Sequence, residues 1–204
     1  MNVTETADMF FTVVINVYPP HQAFLPRALT SLLNQRFSNF ELIIIVEGET
    51  PLNPYDPRQL CRQTIPARIE YRPSSHTSGN RERNFGLSLA HGRYILWLNA
   101  DNLVYPDWLE NHYANLASNS GAISIVNIQY WRNELFRGKL PIRLACGEMD
   151  LLNFALPLEL ATSLSVFGPE VEHLRFADWL AFEQCAKSAP VIWDREQPIC
   201  ACHY

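Results

Sequence analysis

Hydrophobic positions along the chain fall into two kinds of run. Phe10–Val17, "FFTVVINV", is β-branched and almost continuously apolar, as expected of a strand covered on both faces. "LPRALTSLLNQ" follows, with Leu25, Leu29, Leu32 and Leu33 at helical spacing and Pro26 suited to a first turn. "FELIIIV", Phe40–Val46, is a second buried strand. After the proline-rich loop Pro51–Pro57 the pattern predicts a short helix, then "ARIEYR" (Ala67–Arg72) alternates in character. "NRERNFGLSLAHG" predicts a helix closed by Gly92 and weakened by Gly86. "YILWL" is the next strand. "PDWLENHYANLASNSG" is the next helix, with Leu109, Tyr113 and Leu116 on one face and Gly121 at its end, and "AISIVNIQYW" returns as one strand.

Strands alternating with helices at this spacing predict βαβ units, hence an α/β fold with a mostly parallel sheet and helices on both faces. From Trp131 the pattern is less regular, until "RFADWLAFEQCAK" reads as a helix and "APVIWD" as a closing strand. The expected division is a core over residues 1–130 and a short lobe over 131–204, packed on the same domain. Open sheets of this kind bind ligands beyond the carboxyl ends of their strands. Asn16–Pro19, Glu47–Thr50 and Asn99–Asn102 all follow strands, so three polar strand ends are expected to face one crevice.

Composition narrows the classes of function. The chain has 204 residues and a formal net charge of −5, which argues against an extended nucleic-acid surface but allows a local basic pocket for a small phosphorylated ligand. No stretch approaches the roughly 18 to 20 consecutive apolar residues needed to span a bilayer. The start, "MNVTETADMF", has neither the basic region nor the apolar core of a signal peptide, so the cytoplasm is the expected location. The five cysteines include no CxxC pair and read as small buried hydrophobes in a reducing compartment. Cys200, Cys202 and His203 are zinc-capable and close in sequence, but a fourth ligand at recognisable spacing is missing.

Several stretches could carry chemistry. Asn99-Ala100-Asp101-Asn102 could be a turn whose side chains bond their own backbone, or a strand end that offers oxygen ligands to Mg²⁺ or Mn²⁺. In "SGNRERNFG", Asn80, Arg81 and Arg83 lie at a helix mouth, where free N–H groups and the dipole favour phosphate; the alternative is a solvated helix start. Asp178 and Glu183 in "FADWLAFE" are five positions apart and do not share a helical face. Either could act singly as a general base beside Trp179 and Phe182, or serve as a cap or surface charge. Glu47 in "VEGET" could accept hydrogen bonds from a base or ribose, or belong to an ordinary turn. The fingerprints G-x-G-x-x-G, G-x-x-x-x-G-K-[ST] and G-x-S-x-G are absent.

Taken in order, these stretches resemble a family 2 glycosyltransferase of the GT-A fold. "FFTVVINVYPPHQAFLPRALTSLLNQRFSNFELIIIVEGET" resembles the family's opening strand, polar turn, leucine-rich helix and second strand ending in acids. "SGNRERNFGLSLAHGRYILWLNADN" resembles the run that ends in the family's DXD motif, and "FGPEVEHLRFADWLAFEQCAK" the segment carrying its catalytic base. The likeness is strong to about Ile128. It implies a Rossmann-like, mostly parallel sheet covered on both faces, with a small C-terminal lobe. It also implies a nucleotide-diphosphate sugar donor, Mg²⁺ or Mn²⁺, and transfer with inversion to an acceptor hydroxyl. The acceptor would be a glycan, a lipid-linked molecule or a small molecule.

By the same resemblance Asp101 matches the last DXD carboxylate and direct metal ligand, and Asn99 the first position, used towards ribose or metal-bound water. Glu47 or Glu49 matches the acidic contact to the base, Arg83 an arginine near the diphosphate, Asp178 the base, and His203 a supplementary metal ligand. Asn80 joins them as a phosphate contact. Three departures stand out: Asn99 where Asp is usual, "VEGET" where "VDDGS" is usual, and Ala177 where a second acid is common. They support an alternative, a non-catalytic nucleotide-sugar-binding or scaffold protein of the same fold. A short acceptor lobe and aromatics such as Tyr130 and Trp131 make a homodimer reasonable.

Overall fold

The computed structural model describes residues 9–48, 65–73, 79–132, 135–170, 174 and 176–203. Its core begins with three largely buried strands: β1 (Phe11–Val17), β2 (Phe40–Glu47) and β4 (Tyr94–Asn99). β1 lies between the other two, parallel to both, and β3 (Ala67–Arg72) extends the sheet beyond β2. Continuous runs of Val, Ile and Leu form strands here because both faces are covered. Val13, Ile15, Leu42, Ile44, Leu96 and Leu98 turn to one apolar cluster, and Val14, Ile43, Ile45, Ile95 and Trp97 to the other.

On the first face pack α1 (Leu25–Leu33), through Leu25, Ala28, Leu29 and Leu32, and α3 (Trp108–Leu116). On the second pack α2 (Asn80–Leu89) and α5 (Ala177–Ala186). Gly86 is what allows α2 to sit so close, since a Cβ there would lie 2.5 Å from Val14 Cγ1. α2 stops at Leu89, before the expected Gly92. Gly92 serves another purpose: a Cβ on it would lie 2.5 Å from the backbone of Phe11 and Thr12, so it lets the chain cross close to β1.

α3 also differs from expectation. Its buried residues are Trp108, Leu109, His112, Asn115 and Leu116, while Tyr113 is exposed. Tyr113 instead joins Phe10 and Phe37 in an aromatic group at the margin of the sheet. His112 occupies the inner face because Ser124 Oγ lies 2.9 Å from its Nδ1.

"AISIVNIQYW" is two strands rather than one: β6 (Ile123–Ile125) and β7 (Ile128–Arg132). Between them Asn127 is fully buried, and its amide donates to the Gln197 carbonyl at 2.7 Å. That turn sends β7 into a second sheet. The first sheet runs β10-β6-β9-β4-β1-β2-β3 and the second β5-β11-β7-β8 among the described residues. Here β5 is Leu103–Val104, β8 Leu135–Leu140, β9 Phe154–Pro157, β10 Val191–Trp193 and β11 Ala201–His203. β9 runs antiparallel to β4 and β6, and the short helix α4 (Leu158–Ser163) follows it. No helix among the described residues is long and apolar enough to cross a membrane.

Candidate functional site

Parallel pairing brings the ends of β1, β2 and β4 to one side. Asn16 pairs with Asn99, and Glu47 closes β2. Above them opens a cleft of about 460 Å³ lined by Asn16, Tyr18, His21, Glu47, Gly79, Arg83, Asn99 and Asp101. This is the crevice expected of an open α/β sheet. A larger hollow of about 730 Å³ lies elsewhere, around Phe10 and Tyr94. That is where β1 and β4 begin, so it lies away from these polar strand ends.

Asn99–Asn102 is a turn, since the Asn102 N–H donates to the Asn99 carbonyl at 3.0 Å. It is also a wall of the cleft. Asp101 Oδ2 lies 3.3 Å from His21 Nδ1, and the Asp101 carbonyl accepts from Arg27 at 3.0 Å. Asn99 Oδ1 accepts from Arg83 Nη2 at 3.2 Å, so the amide side chain holds a guanidinium.

Arg83 reaches the cleft from the first turn of α2. Gly79, at φ 79°, starts that helix, and its carbonyl accepts from Asn16 Nδ2 at 2.8 Å. Asn80 is buried and its Oδ1 accepts from Arg83 Nη1. Arg81 is exposed and does not line the cleft. Burial pushes the Arg83 pKa down, while Asp178, Asp150, Glu82 and Glu47 offset part of that loss. An arginine stays charged under such a shift, so the cleft contains a fixed cation ringed by carboxylates.

A second, smaller cleft of about 160 Å³ shares Arg83 and Asn99 with the first and adds Asn80, Asp150, Leu151, Leu174, Ala177 and Asp178. Asp178 stands in the first turn of α5, where the Trp179 N–H donates to it at 2.8 Å. Its pKa is raised, first by burial and then by the nearby Asp150 charge, against the pull of the Trp179 N–H and Arg83. Ala177 is buried in the apolar cluster on that face of the sheet. Glu183 lies away from the cleft and pairs with Lys187.

Asp150 and His21 carry no sequence signal as site residues. Asp150 reads as a turn cap, and one of its oxygens does that work, accepting from the Leu152 N–H at 3.0 Å. The other oxygen lies 2.8 Å from His203 Nδ1. Burial opposes charge on both groups, but their mutual attraction prevails, so His203 is shifted up and Asp150 down. Only chain return makes this pair, because β11 places His203 opposite Tyr130 of β7.

Cys200 and Cys202 do not join His203. Alternation along β11 turns Cys202 to the other face from His203, and the buried Cys200 thiol is pushed up to about 12. Among the described residues no three His, Cys, Asp or Glu groups are arranged to hold a metal ion. Glu49 and Cys61 lie outside the described residues.

The sequence profile of glycosyl transferase family 2 matches residues 12–171, from β1 past the second cleft's Asp150. The chain belongs to glycosyl transferase family 2. Family relatives include the minor teichoic acid biosynthesis protein GgaB of Bacillus subtilis, 30% identical over 123 residues, which cover 58% of this chain and 13% of GgaB. Glycosyltransferase GlyA of Streptococcus pneumoniae is 24% identical over 118 residues, covering 57% of this chain and 16% of GlyA. The chain thus spans less than a fifth of either relative's length.

Solved structures agree on the GT-A fold. S. aureus TarS 1–349 in complex with UDP superposes with a TM-score of 0.75 at 12% identity, over 96% of this chain and 60% of that one. The mannosyltransferase PcManGT of Pyrobaculum calidifontis, in complex with GDP-Man and Mn²⁺, gives 0.71 at 15% identity, over 97% and 57%.

Proposed function

We propose that this family 2 chain transfers a sugar from a nucleotide-diphosphate donor to an acceptor hydroxyl with inversion. The observation that carries this reading is that Arg83 and Asn99 line both clefts. The strand-end cleft and the cleft at Asp178 therefore adjoin across Arg83 and Asn99, and together they form the proposed groove. The donor's nucleoside would lie toward Glu47, its diphosphate against Arg83, and the anomeric carbon between Arg83 and Asp178. The structures of TarS with UDP and of PcManGT with GDP-Man, whose fold this chain shares, support a donor of this class.

Asp178 takes the proton of the acceptor hydroxyl as that oxygen bonds to the anomeric carbon. The carbon's bond to the diphosphate oxygen breaks on the opposite face, and the nucleoside diphosphate leaves with the electron pair. Raising the Asp178 pKa makes it a stronger base than a free carboxylate. Arg83 needs no reorganisation to meet the leaving charge, because Asn80 and Asn99 already fix its guanidinium.

The chain's donor set fits a hard cation that arrives with the diphosphate. Asp101 presents a carboxylate to the cleft, and Mg²⁺ or Mn²⁺ bound through one carboxylate takes its other oxygens from phosphate and water. Such an ion, when bound, screens the charge of the diphosphate. Asp101 would hold it, and His21 would have to turn from the carboxylate it now meets.

A thermal-shift screen of UDP-, GDP- and dTDP-sugars with and without Mn²⁺ tests the donor site. Stabilisation by one nucleotide class is expected, and no shift with any donor would sink the reading. Asp178→Asn should leave that shift in place and cut transfer or donor hydrolysis by roughly 10²- to 10⁴-fold. A second reading, donor binding without turnover, draws on the neutral Asn99 side chain already engaged by Arg83. Donor binding by the unaltered chain with no release of nucleotide would favour it.

A further inference from the structure

The edge of the second sheet carries an exposed surface that is both apolar and basic. β8 is its outermost strand and pairs only with β7 among the described residues. On and just after β8, Leu135 is 58% exposed, Phe136 54% and Ile142 72%. Arg137 and Lys139 stand between these apolar groups and Arg143 follows them, and the stretch 135–144, "LFRGKLPIRL", contains no acid, though Glu134 directly precedes it, in a chain of net charge −5. Arg137 is exposed, Lys139 Nζ donates to the Arg195 carbonyl at 2.6 Å, and Arg143 meets Glu148 at 2.8 Å.

The geometry points to this edge as a docking surface for an anionic lipid bilayer. Leu135 and Phe136 leave β8 on opposite faces, so it is an edge-on approach that would set the cations at the headgroups of such a membrane and the apolar side chains below them. A second copy of the chain fits worse. Edge-to-edge pairing of two β8 strands would bring the Arg137 and Lys139 of each copy together, four cations against the two Glu134 carboxylates that directly precede the strands. A soluble polyanion would satisfy the cations but leave Leu135, Phe136 and Ile142 in water. The net negative charge of the rest of the chain adds orientation, since an anionic surface disfavours approach by acidic faces.

Docking by this edge sets the groove beside the bilayer. Gly138 of β8 lies opposite Tyr130 of β7, and the Tyr130 ring is 5.2 Å from the His203 imidazole that meets Asp150. The surface is one strand away from the groove, and it stands whether or not the groove transfers sugar.

Flotation of the whole chain with lipid vesicles tests the surface. Vesicles of phosphatidylcholine with a third phosphatidylglycerol should carry the protein at low salt, and pure phosphatidylcholine should carry little. Arg137→Ala should weaken binding roughly five-fold, the effect of one cation near an anionic surface. Phe136→Ser with Ile142→Ser should weaken it by about ten-fold or more. Both variants should keep the thermal melt and donor-induced shift of the unaltered chain, which separates lost docking from lost folding or donor binding. Failure to float with either vesicle would overturn the proposal. So would flotation unchanged by either variant, or loss with Arg137→Ala alone, which marks a site for a soluble polyanion. A dimer broken by Phe136→Ser, without vesicle binding, would assign the edge to a second copy instead.

Discussion

Asp150 Oδ2 lies 2.8 Å from His203 Nδ1, joining a turn before β9 to the last strand of the second sheet. The pair ties the end of the chain to the cleft that contains Asp178. Asp150→Asn keeps an oxygen for the Leu152 N–H cap and removes the charge. The variant should lose roughly 1–3 kcal/mol near neutral pH, as expected when a half-buried charge loses its partner. Because the folded His203 pKa is raised, the pair's contribution is full below the unfolded imidazole value and is lost as pH rises through the folded one. Because that of Asp150 is lowered, the contribution is also lost in strong acid. Urea melts should therefore show a wider gap between the two proteins at pH 6 than at pH 9, and an equal gap at both would refute the pairing.

Arg83 is the second test. A lysine cannot serve Asn80 and Asn99 with two separate N–H groups of a planar fork while facing a diphosphate. Arg83→Lys should weaken nucleoside diphosphate binding about 30-fold by calorimetry, the loss of about 2 kcal/mol from a charge-assisted contact. Affinity within three-fold of the unaltered chain would remove Arg83 from the donor site.

With Asp178 as the proposed base, its electrostatics predict the pH dependence of transfer. Its raised pKa places the acid limb of the rate profile above the ordinary carboxylate range. Asp150 is the second cause of that shift, so Asp150→Asn should move the limb toward lower pH. A limb that stays fixed in the variant would mean that another group controls it.

His112 governs acid stability in the core. Burial lowers its pKa from 6.5 to about 3, so the folded state resists the proton that the unfolded chain accepts. Stability from this residue is full above pH 6.5 and falls as pH drops toward 3, by roughly 2 kcal/mol between pH 7 and pH 5. His112→Asn can keep a polar atom near Ser124 without titrating. Its stability relative to the unaltered chain should improve by that amount over the same interval, and denaturant midpoints at the two pH values would show it.

Gly86→Ala should destabilise although alanine favours helix. The new Cβ would fall 2.5 Å from Val14 Cγ1, and overpacking of this kind costs about 1–3 kcal/mol. Val14→Ala in the same chain should recover part of the loss. A stabilised single variant would show that α2 moves freely off the sheet.

What the sequence by itself determined was the α/β core and the places where chemistry gathers. Long runs such as "FFTVVINV" and "FELIIIV" permit few structures other than covered parallel strands. The polar residues at their ends had to meet once those strands lay parallel, which made it legible that Asn99, Asp101 and Glu47 would line one cleft, while Arg83 enters it from the first turn of α2. Asp178 was legible through family resemblance, since its spacing alone left a cap equally open. The tertiary structure decided the rest. Local pattern could not show that Asn127 would break a ten-residue apolar run into strands of two sheets, because its partners arrive some seventy positions later. For the same reason it could not bring Asp150 to His203, or turn Cys202 away from that histidine. Nor could it show that a basic, apolar hairpin would remain uncovered at a sheet edge. Each of these depends on which distant segment packs where, and periodicity along the chain reports only the face a residue presents.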